Sequence, residues 1–344
     1  MDSGNSLKVS AFALIICAKN IKSVNPIFSI KTYQFFSGLY FITNNYIYTN
    51  TYPLVIKNSD TDLYRITNLT LYLCMLKYVT FFLILGASFP GFSWSANGHR
   101  VIGQIAYERL TPKAKRTFAH LNQSLNRDHR RYSLVAASVW LDALYDPRYL
   151  ALKPIHYIDL PYSVDGTTLP KVASRNAVSA IETASTKVMD SSVTDTERAT
   201  SLRILLHVVG DLHQPLHAIT RVSHAHPQGD RGGNEFRLGK NSVAPNLHRY
   251  WDRGGGLLSP KMNAIAVKDL AKSIGSEWTC PSDDQNVMHW AETSHALAIT
   301  QAYAIKEYES PSAAYEKNTQ RIVRQQLAYA GCRLASLLNH LVVK

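Results

Sequence analysis

Two His–Asp pairs carry the first chemical signal in this chain. His207-Val-Val-Gly-Asp211 and His248-Arg-Tyr-Trp-Asp252 each place an imidazole and a carboxylate four residues apart. Residues at that spacing share one face of a helix, so each pair can grip a single ion. Imidazole with carboxylate suits zinc, at about 2.0–2.2 Å per ligand. Taken alone, such a pair is more commonly a core histidine beside a helix-face aspartate. The surroundings shift that balance. Asp211-Leu-His213-Gln-Pro-Leu-His217 adds two histidines, and Pro215 ends or kinks the helix and turns His217 in a new direction. His156-Tyr-Ile-Asp159 lies between Pro154 and Pro161 and reads as an ordered loop or extended piece. Asp142 precedes His156 by 14 residues, and His99 follows Trp94 by five. An ion takes three or four protein ligands, so the inventory is enough for three ions. Zinc lowers the pKa of bound water from 15.7 to roughly 7, which makes hydrolysis at neutral pH accessible.

The segments that must hold these groups read mainly as helices. Residues 98–110 carry Val101, Ile102, Ile105, Ala106 and Leu110 at helical spacing. Thr111-Pro112 then caps and starts a second helix, with proline at its first position. Further helices are expected over 176–189, 196–213, 261–275, 288–309 and 313–341. Strand signals are scarce, and 229–239 reads as a short hairpin or loop around Gly232-Gly233. The fold class is mostly α, with functional loops between helices.

Composition bounds the rest. With 344 residues, 46% hydrophobic and 18% charged, the chain is globular and neither disordered nor collagen-like. Its net charge of +12 points only weakly to an anionic partner. All 13 histidines lie between His99 and His340. The first 74 residues are rich in Asn, Tyr, Ile, Thr and Ser and show no periodicity that nominates stable elements. At Met75 a short basic start leads into the apolar run Val79-Thr-Phe-Phe-Leu-Ile-Leu-Gly-Ala87 and a small-residue exit ending at Ser93. That is the plan of a secretory signal peptide over 75–93, with an apolar core too short to span a membrane. Residues 1–74 are then expected to be a non-native or disordered extension, and 94–344 a single domain. No run of 20 apolar residues occurs in the C-terminal two thirds, so no span is expected there.

Taken together, these residues resemble the zinc-dependent S1/P1 nucleases, or type I nucleases, and most of all their bacterial members. The resemblance runs from Trp94 to about Leu341. It is carried by Trp94-x4-His99, Gly210-Asp-Leu-His-Gln-Pro-Leu-His217, Gly232-Gly-Asn234 and His248-x3-Asp252. It implies a single-domain helical fold of the phospholipase C/P1 nuclease kind, with a trinuclear zinc cleft. One Zn2+ would take Asp142, His156, His207 and one oxygen of Asp211. A second would take the other oxygen of Asp211, His99, and both the free amine and the carbonyl of Trp94. A third would take His217, His248 and Asp252. The resemblance further implies that hydroxide held by the Asp211-bridged pair attacks phosphorus while the third zinc stabilises the leaving 3′ oxygen. Single-stranded DNA or RNA would yield 5′-phosphorylated products, and 3′-nucleotides would also be hydrolysed. A backbone amine binds zinc only as a free N-terminus, which gives cleavage after Ser93 a chemical purpose. A secreted or periplasmic enzyme, active as a monomer, is expected.

Tyr157 and Asp159 stand where members of that family place an aromatic and an acidic residue that stack on and bond a base. The fungal members carry an arginine three residues after the ligand equivalent to Asp142; here the residue is Tyr145, and Arg148 is the nearest substitute. His213 is expected to support the site or the core rather than to bind metal, and Asn234 to be structural. His224 and His226 read as exposed, with binding of a stray metal the alternative. Arg127-Asp-His-Arg130-Arg131, the densest basic patch, reads as a solvated loop between helices, with salt-dependent attraction of phosphates the alternative. Cys280 and Cys332 could pair in an oxidising compartment, and Asn122-Gln-Ser matches a glycosylation acceptor. Two competing readings are a zinc-dependent phospholipase C and a non-catalytic zinc- or nucleic-acid-binding protein. The five-residue step from Trp94 to His99 and the Asp at position 252 favour the nuclease over the phospholipase. The complete ligand set disfavours the binding protein, because structural zinc sites are closed and single.

Overall fold

Thr111 and Pro112 mark the first sharp boundary in the chain. The Thr111 hydroxyl accepts a hydrogen bond from the Ala114 amide (3.2 Å), and the proline takes a position where no amide proton is needed. Helix α1 (Ala96–Arg109) ends just before this boundary and α2 (Pro112–Gln123) begins there. The computed structural model describes residues 31–35, 38–43, 46–48, 55–57, 63–65, 94–126, 132–144 and 147–343. The expected signal segment 75–93, Tyr145 and the basic run 127–131 lie outside the described residues.

The chain divides into two units, Met1–Pro90 and Gly91–Lys344. In the first, β1 (Lys31–Phe35), β2 (Gly38–Thr43) and β3 (Tyr46–Tyr48) form an antiparallel sheet, and β4 (Val55–Lys57) pairs with β5 (Leu63–Arg65). The sequence reading nominated no element here. The Tyr, Ile and Thr that denied the stretch a helical period are the residues that favour strands.

The second unit is mostly helical. It continues through α3 (Leu134–Ala137), α4 (Ala177–Lys187), α5 (Asp195–Leu212), α6 (Leu247–Asp252), α7 (Ala264–Glu277), α8 (Val287–Leu297) and α9 (Ala313–Leu341). Helix α5 starts at a capping box in which Thr194 and Glu197 satisfy each other's amides. It is then buried nearly all round, through Leu202, Leu205, Leu206, Val208, Val209 and Leu212. A helix apolar on every face belongs in the middle of a core. Accordingly α5 packs against α1, α2, α4 and α9 and carries the first His–Asp pair into the interior. The expected helix over 288–309 stops early. Helix α8 ends at Leu297, passes through a wider turn at Ala298–Ala302 and gives way to irregular chain.

Two short strands position the site directly. β6 (Pro161–Ser163) runs parallel to β7 (Thr220–Val222). The pairing extends back towards His156 and His217, because the Ile158 amide donates to the His217 carbonyl (2.8 Å) and the Thr220 amide to the Leu160 carbonyl (3.0 Å). Residues 229–239 form a loop with a single bridge, Arg237 to Asn246, rather than a hairpin. Cys280 and Cys332 form a disulfide that ties the segment after α7 to α9. Asn122 is buried. Its amide nitrogen donates to the Tyr132 carbonyl (2.6 Å) and its oxygen accepts from Arg203 Nε (2.9 Å). The acceptor asparagine of the glycosylation motif is therefore not displayed on the folded surface, although Gln123 and Ser124 are exposed.

Candidate metal centre

Five side chains from four separate segments converge around the C-terminal half of α5. His207 and Asp211 project from that helix, one turn apart. His99 comes from α1, Asp142 from the tight turn Leu141–Ala143, and His156 from the end of the 3₁₀ stretch Pro147–His156. The two oxygens of Asp211 face opposite ways. Oδ1 lies 3.2 Å from His99 Nε2, while Oδ2 lies 3.0 Å from His156 Nδ1 and 3.3 Å from His207 Nε2. Asp142 Oδ1 completes the far side, 3.4 Å from His207 Nε2 and 3.7 Å from His156 Nδ1. Gly210 permits this approach, since a Cβ there would meet the His99 ring at 3.1 Å.

A second group stands apart. His217, in the tight turn Pro215–His217, faces His248 and Asp252 of α6. The two Nε2 atoms are 3.2 Å apart and stand 3.8 and 3.7 Å from the Asp252 carboxylate. Three sets of His and Asp side chains are thus close enough to hold an ion: His99–Asp142–His207, His156–His207–Asp211 and His217–His248–Asp252.

The hydrogen bonds around the rings decide what these groups can bind. Nδ1 of His207 lies 2.6 Å from the Ser138 carbonyl, that of His217 2.9 Å from the His156 carbonyl, and that of His248 2.7 Å from the Gly232 carbonyl. A carbonyl only accepts, so each Nδ1 carries a proton and each ring turns Nε2 inward, where it presents a lone pair whenever the ring is neutral. In the second group, two such lone pairs and a carboxylate then face one another. Asp252 Oδ2 is buried there without a hydrogen-bond donor. A shared cation would satisfy these converging acceptors. Ligands on one tetrahedral zinc at about 2.0–2.2 Å stand roughly 3.3–3.6 Å apart, and the three separations here, 3.2, 3.7 and 3.8 Å, bracket that range.

The charges of these groups lean on one another. Burial disfavours charge on His207, yet Asp211 and Asp142 outweigh it and hold the imidazole well above its usual value. Burial likewise opposes a charge on Asp142, but His207 and His99 bring its carboxyl down to about 2. Asp211 is held well below the usual range by His207, His156 and His99, again against burial. In the second group, burial wins and pushes Asp252 up to about 8. A cation there would return it to the carboxylate. Its other oxygen accepts from Gln214 Nε2 (2.7 Å).

The structure therefore brings together all eight His and Asp ligands nominated from sequence, in two neighbourhoods. Trp94 is buried beside them. Its indole nitrogen donates to the Gly210 carbonyl (2.8 Å), and the next amide, of Ser95, donates to the Asp252 carbonyl (2.9 Å). Tyr157 is 40% exposed at the surface of this region, and its carbonyl anchors the start of α4 through the Ala177 amide. Asp159 keeps contact with solvent, yet the walls around it desolvate its carboxyl and raise it to about 6. His213 is in none of these three sets. Nδ1–H donates to the Val209 carbonyl (2.7 Å), and Nε2 accepts from Arg333 (2.8 Å). Asn234 donates to the Arg231 carbonyl and so braces the Gly-Gly loop. His224 and His226 reach Asp165 and Glu235 separately, at 2.7 and 2.9 Å, rather than sharing an ion.

Sequence reasoning missed Gln214, which orients Asp252, although it lies inside the motif block. It also missed Arg203, a buried cation that bonds Asn122 and Asn126 and lies against the rings of Tyr132 and Trp140. That clamp fixes the segment leading to Asp142. A lone arginine amid the apolar residues of α5 was the available signal.

Fold and site together define a helical protein whose buried imidazoles and carboxylates converge as cation ligands. The family model described as S1/P1 Nuclease matches residues 94–343, and the chain belongs to that family. Similar proteins include Endonuclease 2 of Arabidopsis thaliana, 28% identical over 72% of this chain and 90% of the relative. Nuclease S1 of Aspergillus oryzae is 25% identical over 72% and 91%, and Nuclease P1 of Penicillium citrinum 24% identical over 72% and 97%. The chain is accordingly a nuclease, a phosphodiester hydrolase. Among the described residues, no helix is long and apolar enough to cross a membrane.

Proposed function

We propose that the chain is a secreted, zinc-dependent endonuclease that cuts single-stranded DNA and RNA to 5′-phosphorylated products and also removes phosphate from 3′-nucleotides. The observation that carries this reading is the convergence of bare imidazole nitrogens and carboxylates in two adjacent buried groups. Asp142, His156, His207 and one oxygen of Asp211 would hold one zinc. His99, the other oxygen of Asp211 and the backbone of Trp94 would hold a second. His217, His248 and Asp252 would hold a third. Bound zinc would supply a nucleophile at neutral pH and offset the negative charge that grows on the phosphoryl oxygens.

The residues of the chain do the positioning. Asp211 turns one oxygen to each side and so keeps the first two sites adjacent. The carbonyls of Ser138, His156 and Gly232 hold three imidazoles in the tautomer that presents Nε2. Gln214 fixes the orientation of Asp252. Tyr157 offers a ring face to a base, and Asp159 an acceptor to its edge. A base that stacks on protein must leave its own stack, which favours single strands.

The match to the family begins at Trp94, the residue that would carry the free amine. This supports 75–93 as a signal peptide that is removed and 94–344 as the mature enzyme. The test is expression from Met75 in a secreting host, with the N-terminal residue read by mass spectrometry. Hydrolysis of single-stranded DNA, RNA and a 3′-nucleotide is then followed with and without a zinc chelator. A Trp94 start with chelator-sensitive release of 5′-nucleotides is expected. Full activity in a chain with a residue ahead of Trp94 would refute the amine ligand.

A further inference from the structure

Arg231 has a conformation that an arginine has no local reason to adopt. Its φ is +58°, in a loop where glycines at 229, 232 and 233 also have positive φ. Glycine would be free of strain at 231 as well, while a side chain with a Cβ is not. The loop holds it there firmly. Asp230, immediately before it, is buried and accepts from the Arg221 amide (3.0 Å), the Gly233 amide (3.1 Å) and the Tyr303 hydroxyl (2.8 Å). Gly232, immediately after it, accepts from His248 through its carbonyl. The Arg231 carbonyl is bonded by Asn234. The backbone is therefore locked on both sides while the side chain is exposed.

The guanidinium makes no hydrogen bond or ion pair with a described residue, yet its charge is felt at both Tyr157 and Asp159. It is exposed, near enough to the aromatic–acidic pair for its charge to reach both, and one residue from the loop glycine that orients His248; it bonds no ligand side chain. Strain kept in an over-determined loop is a mark of function. A free, planar cation with paired donors is suited to phosphate.

We infer that Arg231 binds the phosphate on the 5′ side of the nucleotide whose base lies on Tyr157. This rests on the proposed reading, in which that nucleotide presents its 3′-phosphoryl group to the metal ligands. Its other phosphate leaves towards the surface, where Arg231 waits. The contact favours strands and nucleoside 3′,5′-bisphosphates over 3′-monophosphates, and it supplies from this loop a cation that position 145 lacks.

The experiment compares KM for a nucleoside 3′-phosphate and the matching 3′,5′-bisphosphate in the metal-replete enzyme, R231Q and R231G. The unmodified enzyme should show a KM about tenfold lower for the bisphosphate, the low end for a charge-assisted contact. Both variants should bring the ratio close to one by raising the bisphosphate KM, with kcat little altered. R231G, which also relieves the backbone, should melt no lower than the unmodified enzyme. In parallel, binding of a phosphorothioate single strand is followed by fluorescence anisotropy against salt. The slope of log K on log salt should drop by about 0.7 in the variants.

A bisphosphate preference that survives in R231Q would overturn the inference. So would a parallel rise of both KM values, which would place the contact on the 3′-phosphate or nucleoside common to both substrates, or a lower melting temperature in both variants. If the unmodified enzyme hydrolyses neither nucleotide, the functional reading fails. The anisotropy slope still judges Arg231 in that case: a drop supports a backbone contact and an unchanged slope removes it.

Discussion

Replacing Gly232 with alanine should cripple the second ligand group. The residue has φ +62°, and a Cβ there would lie 2.3 Å from the Leu216 carbonyl oxygen, 3.2 Å from that of Ile219 and 3.3 Å from His248 Nδ1. The closest atom is backbone and cannot rotate away. Leu216 immediately precedes His217, and His248 Nδ1 is the atom that the Gly232 carbonyl holds. The displacement therefore falls on both imidazoles of the group. A left-handed L-residue costs roughly 1–2 kcal/mol, and overpacking adds about 1–3 kcal/mol. At about 2–4 °C per kcal/mol for a domain of this size, Tm should fall by roughly 4–20 °C. A misdirected imidazole should further cost about 10–100-fold in metal affinity or activity. Gly166→Ala provides the control. Its φ is +83° with nothing within 4 Å of the new Cβ, so only the roughly 1–2 kcal/mol of strain applies, and the rate should be unchanged. The measurements are Tm, zinc per chain and rate on single-stranded DNA. If G232A keeps the zinc content and rate of G166A, the claim that this carbonyl positions His248 is wrong.

Three more outcomes are expected. The unfolded His213 imidazole takes a proton near 6.5 and the buried one only near about 3, through burial and then Arg333. The unfolded chain binds more protons in that window, so stability should rise with pH there by up to about 1.4 kcal/mol per unit. His213→Gln should flatten that slope in acid-unfolding curves. The Cys280–Cys332 bond spans 52 residues. Its loss in a double serine variant should cost about 4 kcal/mol by loop entropy, seen as a lower Tm that reductant no longer changes. Tyr157→Ala should remove about 1–3 kcal/mol of stacking per base, raising KM by a similar factor for all four bases. A loss confined to one base would contradict a stacking role.

Much of the helical frame was legible because its boundaries are made locally. Thr111-Pro112 starts one helix, and α9 keeps the limits 313–341 that its apolar period implies. Helix α8 was overextended, since residues 298–309 keep helical composition while Tyr303 is drawn to Asp230 by a bond 73 positions away. Strands in the first unit were not legible, because Tyr, Ile and Thr favour β structure without giving a period that marks where each strand begins and ends. The ligands were legible because i,i+4 spacing and residue type are sequence properties. What directs them was not: Ser138, His156 and Gly232 act through backbone carbonyls, which every residue has. Arg231 was equally hidden, because nothing in its neighbours' identity announces a positive φ for arginine.

The burial of Asn122 has a consequence for how the enzyme is produced. Both amide atoms are committed, the nitrogen to Tyr132 and the oxygen to Arg203, and Arg203 in turn braces the approach to Asp142. A secretory pathway that attaches sugars to Asn-x-Ser during translocation meets the chain before these bonds exist. Carbohydrate and fold then compete for one nitrogen, and the winner is set by timing. A modified chain should lose the Asn122–Arg203 clamp near the candidate ligands, while a chain that folds first should keep it. Hosts without such a pathway, or a chain carrying Ser124→Ala, avoid the race.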